Sequence, residues 1–341
     1  MKTIKTKEAV GHVLCHDITQ IVRGGIKDAV FRKGHIVTET DIPILLSMGK
    51  ENLYIWEIND NLIHENDAAD ILCKICQGAN MHPTPPREGK IDLIADMDGL
   101  LIVDIDRLRA INSVGEMIIA TRTSGFPVKE GEKLCGTRII PLLIEKEKMD
   151  NASRIAGEAP LLNLLPFRKK KYGLIATGNE IYHGLIQDTF SRVIQEKLKE
   201  YDCEMAEHRI LDDNPERITA AINEMLSNGV QMVFCTGGMS VDPDDTTPIA
   251  IKNQGASIIS HGAPVLPGAM FLIAYTADMR PICGLPGCVM HAGRSIFDLV
   301  LPLLLADVPV TPQWLAGLGN GGICLNCSDC RFPNCMFGKG T

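Results

Sequence analysis

The chain has 341 residues, of which 45% are hydrophobic and 22% charged, and its formal net charge is −8. This is a globular composition, and the length exceeds what one hydrophobic core organises, so two or three domains are expected. The acidic balance argues against nucleic-acid binding, which needs a basic face. No segment reaches the roughly 20 apolar residues of a membrane span, and the charged start Met1-Lys-Thr-Ile-Lys has no signal core, so a cytoplasmic protein is expected.

In chain order, Val10–Leu14 and His35–Val37 read as short strands, Asp41–Met48 as a helix stopped by Gly49, and Tyr54-Ile-Trp56 as a strand. Leu62–Gln77 has helical spacing, and the proline-rich Met81–Gly89 reads as a linker or ordered loop. From Lys90 to Leu143 a helix near Ile105–Asn112 precedes short strands divided by Gly115, Gly125, Gly131 and Gly136. These patterns predict an α+β module over 1–85 and a small mixed β-rich module over 86–165.

Strands and helices alternate regularly over 166–310. Tyr172–Ala176 is a strand, and Phe190, Val193, Ile194 and Leu198 share one helical face. Met205–Leu211 is the next strand. Asp213-Asn-Pro-Glu216 offers a helix start, Ile218, Ile222 and Met225 continue its apolar face, and Gly229 suits its C-terminal cap. Strands at Val230–Cys235, Phe271–Tyr275 and Pro281–Cys283 follow, then a helix from Cys288 to Leu305. The fold class read from this alternation is α/β, with a parallel sheet in a three-layer domain preceded by the smaller modules.

In such sheets ligands bind beyond the carboxyl ends of the strands. Loops at Thr177–Glu180, Asp212–Asp213, Thr236–Asp245 and Gly284–Gly287 fall at such ends. Their glycines let backbone N–H groups approach an anion. Glu180, Asp188, Asp212, Asp242, Asp244 and Asp245 add carboxylates suited to a divalent cation beside a phosphate. Gly, Asp and Pro also dominate ordinary turns, but their recurrence at several strand ends points to a site.

Thr177-Gly-Asn-Glu180 with Gly184, Ile186 and Asp188, then Asp212-Asp213, Gly237-Gly-Met-Ser240, Asp245-Thr-Thr-Pro248 and Gly284-Leu-Pro-Gly287, together resemble the motif set of the molybdopterin-binding fold. That family includes molybdopterin adenylyltransferases, molybdopterin molybdenumtransferases and competence-damage proteins. The resemblance implies catalytic roles for Asp212, Asp245 and Glu180. It implies cofactor contacts from Thr177, Gly178, Asp188, Gly237, Gly238, Ser240, Gly284, Leu285, Pro286 and Gly287. Molybdopterin is then the expected ligand, with Mg2+, with ATP or molybdate as co-substrate, and with a molybdenum enzyme as recipient of the cofactor; a homo-oligomer is expected too. A non-enzymatic carrier and a nucleotide-acting protein of the competence-damage kind are the alternatives. Asn179 stands where the molybdenumtransferases usually have aspartate, and Cys288-Val289 where they have asparagine and proline.

Other features invite simpler explanations. Arg168-Lys-Lys-Lys171 reads as a solvated edge, Cys73-x2-Cys76 as helix-face thiols, and His183 as a loop residue. The segment 311–341 is different. Cys324-x2-Cys327-x2-Cys330-x4-Cys335 crowds thiols at a spacing near that of ferredoxin cysteines, so a metal is expected there, an iron–sulfur cluster ahead of zinc. A flexible tail of free thiols is the alternative.

Overall fold

A computed structural model of the chain describes residues 2–20, 28–55, 61–240 and 245–340. The chain divides into two compact units, the first comprising Met1–Asp96, Val103–Arg122 and Gly131–Asn163, the second Met97–Ile102, Thr123–Glu130 and Leu164–Thr341. This differs from the four consecutive parts read from sequence. The excursions 97–102 and 123–130 pair as strands, and their Leu100 and Phe126 are buried in the apolar core of the second unit. The cysteine-rich end belongs to that unit as well, with Phe337 buried in the same core.

In the first unit, Met81–Pro83, Lys90–Ala95, Lys133–Ile139 and Met117–Thr121 form an antiparallel sheet in that order. The helix predicted over Leu62–Gln77 begins only at Glu65, after a short strand Leu62–His64. The helix places Cys73 and Cys76 inside. Burial pushes the Cys73 thiol up to about 11, and neighbouring Cys135 together with burial raises Cys76 as well, so these are core thiols. The strands expected at Val10–Leu14 and His35–Val37 reduce to a single bridge between Val13 and Ile36. The expected strand at Tyr54 spans Asn52–Ile55; Trp56 lies outside the described residues.

The second unit contains β1 (Lys171–Thr177), α1 (Asn179–Tyr182), α2 (Phe190–Lys199), β2 (Glu204–Leu211), α3 (Pro215–Ser227), β3 (Met232–Thr236), α4 (Thr247–Asn253), β4 (Ser257–His261), β5 (Leu272–Tyr275), β6 (Pro281–Leu285) and α5 (Ile296–Leu305). The strands form one sheet in the order β2-β1-β3-β6-β5-β4. The first four are mutually parallel, whereas β5 is antiparallel to both neighbours, so the sheet is mixed and not wholly parallel as expected. Only the 5-residue stretch Thr276–Arg280 separates β5 from β6; a parallel crossover needs a dozen residues or more.

Alternation along the strands sends side chains to two buried faces. Tyr172, Leu174, Met232, Phe234, Cys283 and Leu285 pack with Ile194 and Leu198 of α2 and with α5. Ile175, Val233, Cys235 and Ile282 pack on the other face against Ile218, Ile222 and Met225 of α3 and Ile251 of α4. This is the expected three-layer α/β domain. Every residue of α5 is buried, including Asp298. The single helix predicted over Cys288–Leu305 is two pieces, a 3-10 turn at Gly287–Met290 and α5. The break falls where Ser295 caps α5 and Asp298 reaches back to the Ser295 backbone, a reciprocal capping box that starts a helix.

Candidate functional site

From β1 the chain crosses to β2 on one side, and from β2 it passes over β1 to β3 on the other. The strand order therefore reverses between β1 and β3, and a crevice is expected beyond their carboxyl ends. The Thr177–Glu180 and Gly237–Ser240 loops leave the sheet at that point. The Asp212–Asp213 and Pro286–Gly287 loops leave from the flanking strands β2 and β6. All four loops singled out in the sequence thus share one edge.

Buried hydroxyls tie the loops together. The Thr177 hydroxyl donates to the Thr236 carbonyl at 3.2 Å and lies 3.2 Å from the Thr247 hydroxyl, which donates to the Gly237 carbonyl at 2.9 Å. Thr177 is thus a brace between strand ends. Gly237 has φ +88° with the Thr177 backbone packed against its α-carbon, a position that only glycine fills without strain. A Cβ on Gly284 would lie 2.5 Å from Met239 Sδ, so Gly284 provides packing for the Gly237 loop. Leu285 and Pro286 are buried, and of the Gly284–Gly287 motif only Gly287 is exposed.

The carboxylates fall into two groups. Asp212 Oδ2 accepts a hydrogen bond from Arg217 at 3.0 Å, while Asp212 Oδ1 is buried with no hydrogen-bond partner. The Thr246 hydroxyl donates to the Asp213 carbonyl at 2.8 Å, which ties the start of α4, and with it Asp245, to the Asp212 loop. Asp213 Oδ2 accepts from the Asn179 backbone at 2.9 Å, so the β1 and β2 loops are joined too. Ser240 and Glu180 are exposed near this edge, Glu180 in the first turn of α1. Asp188 belongs to the second group. Its carboxylate accepts from the Ser191 backbone at 3.0 Å and from the Ser191 hydroxyl, and lies 3.3 Å from His208 Nε2. It links α2 to β2. Asp242 and Asp244 lie outside the described residues.

Arg217 was not singled out from sequence. It lies in the first turn of α3, bonded to Asp212 and set over the Tyr182 ring at 5.9 Å. Those interactions, with the Tyr182 hydroxyl and Asp212 foremost, raise its affinity for a proton further, so it is a permanent cation at this edge. The signal lay in Asn214-Pro-Glu-Arg217, where Asn214, and not Asp213, caps the helix by accepting from the Arg217 backbone at 2.9 Å. The basic run Arg168–Lys171 is at the opposite end of β1. It does not protect an edge, because β1 is internal; Arg168 pairs with Asp307 at 2.8 Å and Lys169 with Asp202 at 3.0 Å. His183 is exposed, with its ring edge-on to Tyr182.

Of the tail thiols, Cys327 and Cys330 are exposed, and Cys324 and Cys335 are partly buried against the core. Among the described residues, no three His, Cys, Asp or Glu side chains converge on one point as ligands of a single ion. No described helix is long and apolar enough to cross a membrane.

Residues 173–306 match a family model described as Probable molybdopterin binding domain. The α/β segment is thus similar to the molybdopterin-binding domain family. Residues 3–57 match a separate model described as Domain of unknown function (DUF8806). A molybdopterin molybdenumtransferase of Synechococcus elongatus is 27% identical over 207 residues, 57% of this chain and 49% of that protein. One from Haemophilus influenzae is 27% identical over 155 residues, 43% of this chain and 37% of its own length. The chain thus spans about half or less of the length of these curated relatives. Among solved structures, the molybdopterin biosynthesis enzyme MoaB of Thermus thermophilus aligns with 41% of this chain and 94% of its own, at 20% identity and a TM-score of 0.35. The stretch matched to the molybdopterin-binding family contains most of β1, all of β2 to β6, and every loop at that edge.

Proposed function

We propose that this protein acts in molybdenum cofactor biosynthesis or delivery and holds molybdopterin in the crevice between β1 and β3. The observation that carries the reading is the buried, unpartnered Asp212 Oδ1 at the edge where the strand order reverses, beside the side-chain-free backbone of Gly237. Gly237, Gly238 and Gly287 offer backbone to the pterin phosphate, and Arg217 supplies a cation. Asp212 and Asp245 are the carboxylates for Mg2+. Magnesium commonly takes one or two carboxylates and fills its shell with water and substrate phosphate, so these two would suffice. Exposed Glu180 then faces the reacting end of the ligand, where ATP or molybdate would enter, and a molybdenum enzyme would receive the product.

The test incubates the purified protein with molybdopterin, with and without ATP, magnesium and molybdate, and separates the products. Formation of adenylylated or molybdenum-loaded pterin supports the enzymatic form of the reading. Tight binding without conversion identifies a carrier. Absence of molybdopterin binding overturns both.

A further inference from the structure

The geometry points to a second site: a polynuclear iron–sulfur cluster held by Cys324, Cys327, Cys330 and Cys335. All four line one cavity of about 620 Å3 in the second unit, together with Arg294 and Phe332. No residue of the Thr177 or Gly237 loops lines it, so it is separate from the pterin crevice.

The segment that carries the thiols is fixed at both ends. Leu266 donates to the Gly322 carbonyl at 2.8 Å, and Cys324 donates to the Leu266 carbonyl at 2.8 Å. Gly338 donates to the Gly321 carbonyl at 2.9 Å, which closes the loop on itself. A Cβ on Gly340 would lie 2.0 Å from the Asn320 carbonyl oxygen, and Phe337 is buried in the core. Between these anchors Asn326, which lies between Cys324 and Cys327, has φ 49°, a left-handed backbone. A free-thiol tail has no need of such closure.

Charge points the same way. Four thiolates held this close repel one another unless compensated. The Arg294 guanidinium lines the same cavity as the four thiols, lies 5.0 Å from the Phe332 ring centre and is held at 2.8 Å by Asp298. Positive charge fixed beside the ligand sulfurs is one of the ways a protein stabilises and tunes such a cluster.

The experiment purifies the full chain without oxygen, reconstitutes it with ferrous iron and sulfide, and measures bound iron, acid-labile sulfide and visible absorption. The expected result is iron and sulfide in equal amounts, about four of each per chain for a [4Fe–4S] centre, with a brown colour that bleaches on reduction. Cys327→Ser and Cys330→Ser, at exposed positions, should each lower bound iron more than tenfold with the melting temperature of the metal-free protein unchanged. Cys203→Ser, outside the cavity, should retain the cluster. One zinc per chain without sulfide, no bound metal, or full iron retention in both exposed-cysteine variants would each overturn the proposal.

Discussion

Gly237 lies so close to β1 that a Cβ built on it would stand 2.0 Å from the Thr177 carbonyl oxygen. Two costs follow for Gly237→Ala. A left-handed backbone costs a residue with a Cβ about 1–2 kcal/mol. Displacing packed backbone adds about 1–3 kcal/mol more. Gly229, at φ +85° with nothing within 4 Å, isolates the first cost. Urea unfolding should therefore show Gly237→Ala to be clearly less stable than Gly229→Ala, and only Gly237→Ala should lose molybdopterin binding. Equal losses of stability would remove the close approach from the account of the site.

Asp212 and Asp188 make a second comparison. Asp212→Asn keeps the Arg217 hydrogen bond within reach but removes the charge beside the unpartnered oxygen. Magnesium-dependent ligand affinity should fall at least tenfold, about 1.4 kcal/mol, while the melting temperature moves little. Asp188→Ala should show the reverse balance, because the carboxylate accepts from the backbone of buried Ser191 and faces His208, and leaving that buried N–H unmatched costs about 1–3 kcal/mol. Isothermal titration and thermal melts on both variants decide it.

That division was not legible in the sequence, where both are acidic residues near strand ends. Asp188 is told apart by Ser191 and His208, and His208 arrives from β2. Arg217 was missed for a similar reason: as a first-turn helix residue it looks like surface charge until Asp212 stands 3.0 Å away. The central strands were legible because burial on both faces requires continuous apolar runs such as Val233–Cys235. The same property concealed the direction of β5, since Leu272–Tyr275 is as apolar as the parallel strands β3 and β6. Strand β4, Ser257–His261, is exposed or half-buried along its length and has no apolar run to betray it.

Alkaline pH should weaken the fold through buried thiols. Burial pushes Cys235 from 9.0 up to about 12 and raises Cys283 as well. The folded state thus holds these protons more tightly than the unfolded chain. Their stabilisation is fully present below pH 9.0 and is lost as the pH climbs toward about 12, with a slope of up to about 1.4 kcal/mol per pH unit for each thiol. Tyr172 and Tyr275, also raised by burial, start from 10.0, so the interval between pH 9 and 10 reports mainly on thiols. Over that interval stability should fall in the native sequence and fall less in the Cys235→Ala, Cys283→Ala double variant. Parallel curves would exclude the thiols as its cause.

The last prediction concerns the buried carboxylate at the start of α5. Asp298 accepts from Lys197 at 2.7 Å, from Arg294 at 2.8 Å and from the Ser295 backbone at 2.8 Å. Lys197 and Asp298 are only 9% and 6% exposed. Removing one partner of such a group leaves an uncompensated buried charge, at a cost of about 3–5 kcal/mol, and Asp298→Ala also removes half of the capping box, about 1 kcal/mol more. Lys197→Met is milder. It deletes a buried charge, keeps the apolar stem, and leaves Asp298 with Arg294 and Ser295. Urea unfolding should therefore rank Asp298→Ala well below Lys197→Met, with the m-value unchanged in both. The ranking depends on Asp298 being the hub. If Lys197→Met proved as damaging, the lysine would be the indispensable charge, and Arg294 would not be compensating Asp298 as its position implies.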